Sequence, residues 1–248
     1  MKHDWLEEAV KRSGLPPCSS FPRDMARDIS MGMPLTLVDL PGLTARQARE
    51  WMSSRDRSRV GLSDDDRPRH GFLVSQGGKG LIFFERDDSK EEQRFTLAHE
   101  VGHFVLDHLL PRDRAVRALG EKILPVLNGR QAPTPQERLF LMLERIPFGP
   151  QVELMDRNQR GKIRRGRVME VEQRADHLAF ELLAPARVVL PQVKHAPKER
   201  IEELLLSLFG LPPQEARTYA HLLWARENTR RPFFLNPVPK KQEEPEDE

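Results

Sequence analysis

Two histidines and a glutamate stand at a spacing that suits metal-dependent hydrolysis. The segment His99-Glu100-Val101-Gly102-His103 has the pattern His-Glu-x-x-His. In a helix, a spacing of four residues puts both imidazoles on one face, one turn apart, so that both can bind one zinc ion. Glu100 lies beside that face and can act as a general base towards a zinc-bound water, whose pKa the metal lowers to about 7.

A third ligand is needed, because a catalytic zinc ion commonly has three protein ligands and a water. The helical pattern of residues 168–183 offers Glu172 and, one turn later, Asp176. If Glu172 binds the metal, Asp176 on the same face can accept a hydrogen bond from the distal ring N–H of a zinc-bound histidine. The alternative is that Glu172 is an ordinary exposed acid of an amphipathic helix, and the spacing alone leaves both interpretations open.

Gly102 indicates that another element comes close to the two histidines. A glycine inside a helix costs about 1 kcal/mol relative to alanine, so its presence between the two ligands suggests a close contact. Ala175 and Ala179 lie along the same stripe as Glu172. Both are small enough to let the second helix approach the Gly102 face of the first.

The elements that must position these residues can be predicted from capping and turn patterns. Ser89, followed three residues later by Glu92, is a capping box that begins a helix over Lys90–Leu110, which Pro111 is expected to end. Upstream, the alternating segment 34–40 predicts a strand, Thr44 a helix N-cap, and Gly77-Gly78-Lys79 the turn of a hairpin. We therefore expect an α+β domain in which a small sheet backs the active-site helix.

The chain divides into four predicted parts. The central one contains both ligand-bearing helices and an apparent insertion at 111–167, whose last residues, 157–167, carry six basic residues and no acid. The parts are an N-terminal helical segment (1–30), the central α+β domain (31–190), a C-terminal helical pair (196–229) and a disordered tail (230–248).

Composition excludes several classes of protein. The net charge of +2 is too small to indicate a nucleic-acid partner. The single cysteine, Cys18, excludes an internal disulfide and a zinc site with several cysteines. The N-terminus lacks the apolar stretch of a signal peptide, and no apolar run approaches the roughly 18 residues of a membrane span. We therefore expect a cytoplasmic protein without a membrane partner.

Two segments resemble the ImmA/IrrE family of metallo-endopeptidases. They are Arg94-Phe95-Thr96-Leu97-Ala98-His99-Glu100-Val101-Gly102-His103 and the run from Glu172-x-x-Ala175-Asp176 to Ala184-Pro185. The resemblance covers roughly residues 34–110 and 168–190. It implies that residues 31–190 are a zincin-like metallopeptidase domain of the gluzincin type, with His99, His103 and Glu172 as Zn²⁺ ligands and Glu100 as the catalytic base. It also implies a protein substrate, a helix-turn-helix repressor whose cleavage derepresses stress or mobile-element genes.

The sequence departs from the family pattern in two places. Glu172 follows His103 by 69 residues, whereas the family glutamate often lies nearer, so residues 111–167 are interpreted as an insertion. Ala184 stands where the family commonly has the methionine of Leu-Leu-Met-Pro. The first departure bears on the identity of the substrate more than on the chemistry.

Two competing functions rely on binding instead of catalysis. One is a DNA-binding or partner-binding regulatory protein, in which the helix pair 198–227 and the basic run 157–167 make the contacts and zinc is structural. The other is an antitoxin-like interaction protein that keeps the motif but acts through binding. Glu100 favours the enzyme, because a structural zinc site has no use for a general base at that position.

Overall fold

The computed structural model describes residues 5–18, 20–55, 66–156 and 166–229. The tail 230–248 and residues 157–165 of the basic run lie outside these ranges, so the predictions about them stay predictions. The described residues form four strands: β1 (Leu35–Leu40), β2 (Arg69–Gln76), β3 (Lys79–Glu85) and β4 (Gln151–Asp156). They also form the α-helices α1 (Trp5–Ser13), α2 (Met25–Gly32), α3 (Ala45–Ser53), α4 (Lys90–His103), α5 (Leu110–Leu119), α6 (Leu124–Leu127), α7 (Pro135–Leu143), α8 (Gly166–Leu183), α9 (Ala186–Gln192), α10 (Lys198–Ser207) and α11 (Pro213–Thr229).

One four-stranded sheet has the order β1-β3-β2-β4. β1 runs parallel to β3, while β2 is antiparallel to both β3 and β4. The predicted strand at 34–40 and the predicted hairpin are confirmed, and Gly77 and Gly78 in its turn have φ of 62° and 79°. The chain is therefore a mixed α+β protein with a small sheet, as the sequence indicated.

The fourth strand was not predicted, and it lies inside the apparent insertion. Residues 151–155 of β4 pair with residues 71–75 of β2. Pairing partners so far apart in sequence leave no local signal, and the alternation of Val152 and Leu154 is too short to identify a strand. The segment 111–167 thus contributes an edge strand to the sheet beside the active-site helix.

The helix that contains the motif, α4, begins at the residue that its predicted cap indicates, but it ends earlier than predicted. The Ser89 hydroxyl accepts a hydrogen bond from the Glu92 N–H at 3.2 Å. The prediction of one α-helix from Lys90 to Leu110 is wrong, because α4 ends at His103 and a π-helix follows over Phe104–Leu109. The N–H of Leu110 then donates to the carbonyl of Val105, five residues back.

Pro111 does not stop the helix, contrary to the prediction. It lies in the first turn of α5, where a missing N–H leaves no hydrogen bond broken. Inside a regular α-helix, a proline clashes with the carbonyl four residues back and cannot donate the helical hydrogen bond. The preceding π-helix has a different hydrogen-bonding pattern, so this conflict does not arise at Pro111. The widened turn therefore lets the chain continue as a helix through this position.

The largest hydrophobic core surrounds α4. Every residue from Phe95 to His103 is buried, and α4 packs against α8 as well as against β2 and β3. The same core contains Ile201 and Leu205 of α10 and Ala220 of α11. Among the described residues, no helix is both long and apolar enough to cross a membrane.

Candidate metal centre

Three predicted ligands, His99, His103 and Glu172, converge at the contact between α4 and α8. His99 Nε2 lies 3.1 Å from His103 Nε2 and 3.6 Å from Glu172 Oε2. His103 Nε2 lies 4.0 Å from Glu172 Oε1. The two imidazoles are 2% and 3% exposed, so the group is buried except on the Glu172 side, where the side chain is 19% exposed.

The donor set and its dimensions suit zinc. Ligands about 2.0–2.1 Å from a tetrahedral zinc ion lie about 3.3 Å apart, and the three distances above fall on both sides of that value. Two imidazole nitrogens and a carboxylate oxygen are also the ligands of one common type of catalytic zinc site. The three side chains could therefore hold one zinc ion with little rearrangement.

Each histidine is oriented by a carboxylate at its other ring nitrogen. His99 Nδ1 lies 2.8 Å from Asp176 Oδ1, and His103 Nδ1 lies 2.9 Å from Asp107 Oδ2. Since an ionised carboxylate only accepts hydrogen bonds, each Nδ1 carries the proton in the neutral imidazole and each Nε2 presents its lone pair to the centre. The pairing of Asp176 with a histidine was predicted from sequence, whereas Asp107 was missed although it lies one turn beyond His103.

The electrostatics of the centre favour a positive charge. Burial lowers the pKa of His99, but hydrogen bonds with Asp176 and Glu172 outweigh it and raise that pKa to about 10. For His103 burial again acts downward, and the hydrogen bond with Asp107 brings its pKa above the ordinary value. A cation at this point, whether a proton or a metal ion, is stabilised by the surrounding carboxylates.

Glu100 is fully buried where α4 passes β2. Its exposed fraction is 0%, and it adjoins Gly71 of β2. A Cβ added at Gly71 would lie 3.7 Å from Glu100 Oε1 and would collide with Thr96 Cγ2. The glycine therefore lets the strand pass directly over the turn of α4 that contains the motif.

Gly102 serves the close approach that the sequence predicted. A Cβ added there would lie 2.9 Å from the carbonyl oxygen of Ala175 and 3.0 Å from its Cα. These are backbone atoms, which cannot rotate away. The short distance between α4 and α8 thus depends on a residue without a side chain, and Glu172, less than one turn from Ala175, depends on it in turn.

Gly102→Ala is expected to destabilise the fold by about 1–3 kcal/mol, because overpacking the helix contact outweighs the gain in helix propensity. Zinc affinity should fall as well, since α8 must shift together with Glu172. Urea unfolding and zinc titration measure the two effects, and Gly102→Val should be worse than Gly102→Ala. An alanine variant as stable as the wild type would show that the contact is looser than the structure indicates.

The remaining histidines and the only tyrosine lie outside the ligand group of the described residues. His195 and His221 are exposed. Tyr219 donates a hydrogen bond to the carbonyl of Ala184, and burial raises its pKa, so it is a structural residue. His177 follows Asp176 directly but does not join the group.

His108 is a structural residue that does not belong to the ligand group. Its Nε2 accepts a hydrogen bond from the N–H of Gly78 at 3.0 Å, and its ring stacks on Phe104. Burial, helped by the nearby Arg112, lowers the pKa of His108 to about 4. The imidazole therefore links the π-helix to the hairpin turn as a neutral acceptor.

His108 should make stability depend on pH. In the unfolded chain it takes up a proton near pH 6.5, and in the folded chain only near pH 4. Between these values the unfolded state binds more protons, so the free energy of unfolding falls as the pH falls from 6.5 towards 4. The free energy of unfolding can be measured with urea in the presence of a chelator. Over this pH range it should fall by about 1–3 kcal/mol more for the wild type than for His108→Gln. Equal losses in the two proteins would contradict the assignment.

A cleft opens beside the metal centre. It has a volume of about 560 Å³, and Glu172 and Asp107 form part of its wall. Three cationic side chains, Arg114, Arg145 and Arg174, also line it. The cleft therefore adjoins the centre on the side on which Glu172 is partly exposed.

Comparison with known proteins finds a family match for the segment that contains the His-Glu-x-x-His helix. The family model described as Peptidase_M78, IrrE N-terminal-like domain, matches residues 58–123, which are 66 of the 248 residues. No curated protein and no solved structure matches the chain. The matched segment covers β2, β3, α4 and the π-helix, and it ends well before Glu172. It confirms the predicted family resemblance: the segment around the motif is similar to the IrrE N-terminal-like domain of the Peptidase_M78 family.

Proposed function

We propose that this protein is a zinc-dependent endopeptidase with His99, His103 and Glu172 as metal ligands and Glu100 as general base. The observation that carries the proposal is the convergence of two imidazole nitrogens and one carboxylate within 4.8 Å of one another. The match to a peptidase family over the same helix supports the class of reaction. The proposal includes a gluzincin-type arrangement of these three ligands.

Each residue of the site has a distinct task in this reaction. When bound, zinc would polarise the substrate carbonyl and lower the pKa of a water. Glu100 takes a proton from the attacking water and returns it to the leaving amine. Asp176 holds the His99 imidazole with its Nε2 lone pair directed at the centre. The cleft admits the peptide beside Glu172.

The substrate we propose is a helix-turn-helix transcriptional repressor, cleaved to derepress stress or mobile-element genes. Support for this finer assignment comes from the resemblance to the ImmA/IrrE family. A cytoplasmic location, which the single cysteine favours because that compartment is reducing, stays a prediction.

The proposal can be tested by incubating the purified zinc-loaded protein with a candidate helix-turn-helix repressor. Intact-mass spectrometry should show two fragments whose masses sum to that of the repressor plus one water. The products should disappear when a chelator removes the zinc and reappear when zinc is restored. Zinc binding without hydrolysis of any repressor or unfolded protein tested would favour a regulatory binding protein with a structural zinc site.

A further inference from the structure

We propose that Asp107 is a positioning residue for His103, fixing the orientation in which that imidazole meets the metal. The inference rests on the proposed function, because it assigns His103 as a ligand. It goes beyond that function by adding a residue that the motif does not contain. It depends on three features of the structure: the contact itself, the helix type around it, and the origin of the two supporting carboxylates.

The contact constrains His103 at both ring nitrogens. Nδ1 lies 2.9 Å from Asp107 Oδ2, while Nε2 lies 3.1 Å from His99 Nε2 and faces Glu172. The ring is 3% exposed and stands at 73° to the His99 ring, with the two centroids 4.7 Å apart. A ring enclosed in this way needs a hydrogen-bond acceptor for its Nδ1 proton, and Asp107 provides it.

The π-helix lies where this acceptor is needed. It begins at Phe104, directly after His103, and Asp107 occupies its fourth position. Single π-helical turns inside α-helices are rare and occur frequently at functional sites. The next residue, His108, binds the N–H of Gly78 in the hairpin turn, so the turn that carries Asp107 is attached to the sheet.

The two supporting carboxylates come from different parts of the chain. Asp176 belongs to α8, which also carries Glu172, so its contact with His99 exists only when α8 is in place. Asp107 lies four residues from His103, in the π-helix that directly follows α4. Loss of Asp107 should therefore disturb His103 alone and leave the packing of α8 intact.

The test compares Asp107→Ala and Asp107→Asn with Glu144→Gln, which removes an acid from another part of the same cleft. Zinc affinity is measured by competition with a chromophoric chelator. We expect Asp107→Ala to bind zinc about 10–100-fold more weakly than the wild type. The zinc affinity of Asp107→Asn should lie between those of the wild type and Asp107→Ala, because its amide oxygen still accepts a hydrogen bond from Nδ1–H although the charge is lost. Glu144→Gln should bind as the wild type does.

A second readout separates positioning from a loss of stability. The cobalt-substituted proteins should differ in their visible d–d absorption between the wild type and Asp107→Ala, while the metal-free variant keeps the helix content of the wild type. If Asp107→Ala fails to fold, Asp107→Asn carries the same comparison. Wild-type zinc affinity and an unchanged cobalt spectrum in a folded Asp107 variant would overturn the inference. Absence of peptide cleavage in a wild type that binds zinc would instead overturn the proposed function and leave the affinity comparison standing.

Discussion

Glu100→Gln is expected to lower the rate of peptide cleavage by about 10²–10⁴-fold while zinc stays bound. Glutamine fills nearly the same volume as glutamate, so the fully buried position stays packed, but its amide cannot take a proton from the attacking water. Glu100 is not part of the group formed by His99, His103 and Glu172, so the metal should be retained. Cleavage kinetics on one peptide or repressor, together with metal analysis of the purified variant, measure both outcomes.

Glu91→Gln provides the matched control, since it removes an exposed acid from the first turn of the same helix. It should cleave at the wild-type rate. Full activity in Glu100→Gln would exclude the proposed general base. Loss of zinc from that variant would show that Glu100 supports the metal centre as well, and the ligand assignment would then need revision.

The sequence predicted the features that depend on local spacing. A separation of four residues in a helix brings His99 and His103 together whatever the rest of the fold does, and the cap at Ser89 fixes where that helix begins. The sequence also predicted that α8 packs against α4, because Gly102 and Ala175 are small enough to let the two helices approach closely. The predicted contact of Asp176 with a zinc histidine followed from the same helix face.

The features that were missed depend on contacts that leave little local trace. β4 forms because it pairs with the edge of β2, some eighty residues upstream. The residues near Gln151 show no sequence pattern that predicts this pairing. The π-helix depends on a change of hydrogen-bond register after His103, which helical periodicity does not show. Asp107 differs from these two, because its spacing of four residues from His103 is a local signal that could have identified it as the partner of that histidine.

Glu172→Gln is expected to weaken zinc binding more than any substitution of a supporting residue, by more than about 100-fold. It removes the only anionic ligand of the proposed set, and the amide that replaces it is a poor zinc ligand. Asp176→Asn should have a milder effect of about 10–100-fold, because its amide oxygen still accepts a hydrogen bond from Nδ1–H of His99. The affinities can be ranked by chelator competition on proteins that show wild-type helix content.

His177→Ala is the matched control for this series, because it lies next to Asp176 on the same helix but points about 100° away from it. It should bind zinc as tightly as the wild type. The expected order of effects is therefore Glu172→Gln largest, Asp176→Asn intermediate and His177→Ala smallest. If His177→Ala lost the metal while Glu172→Gln kept it, the register of α8 against α4 would be wrong, and the site would have to be rebuilt around a different face of that helix.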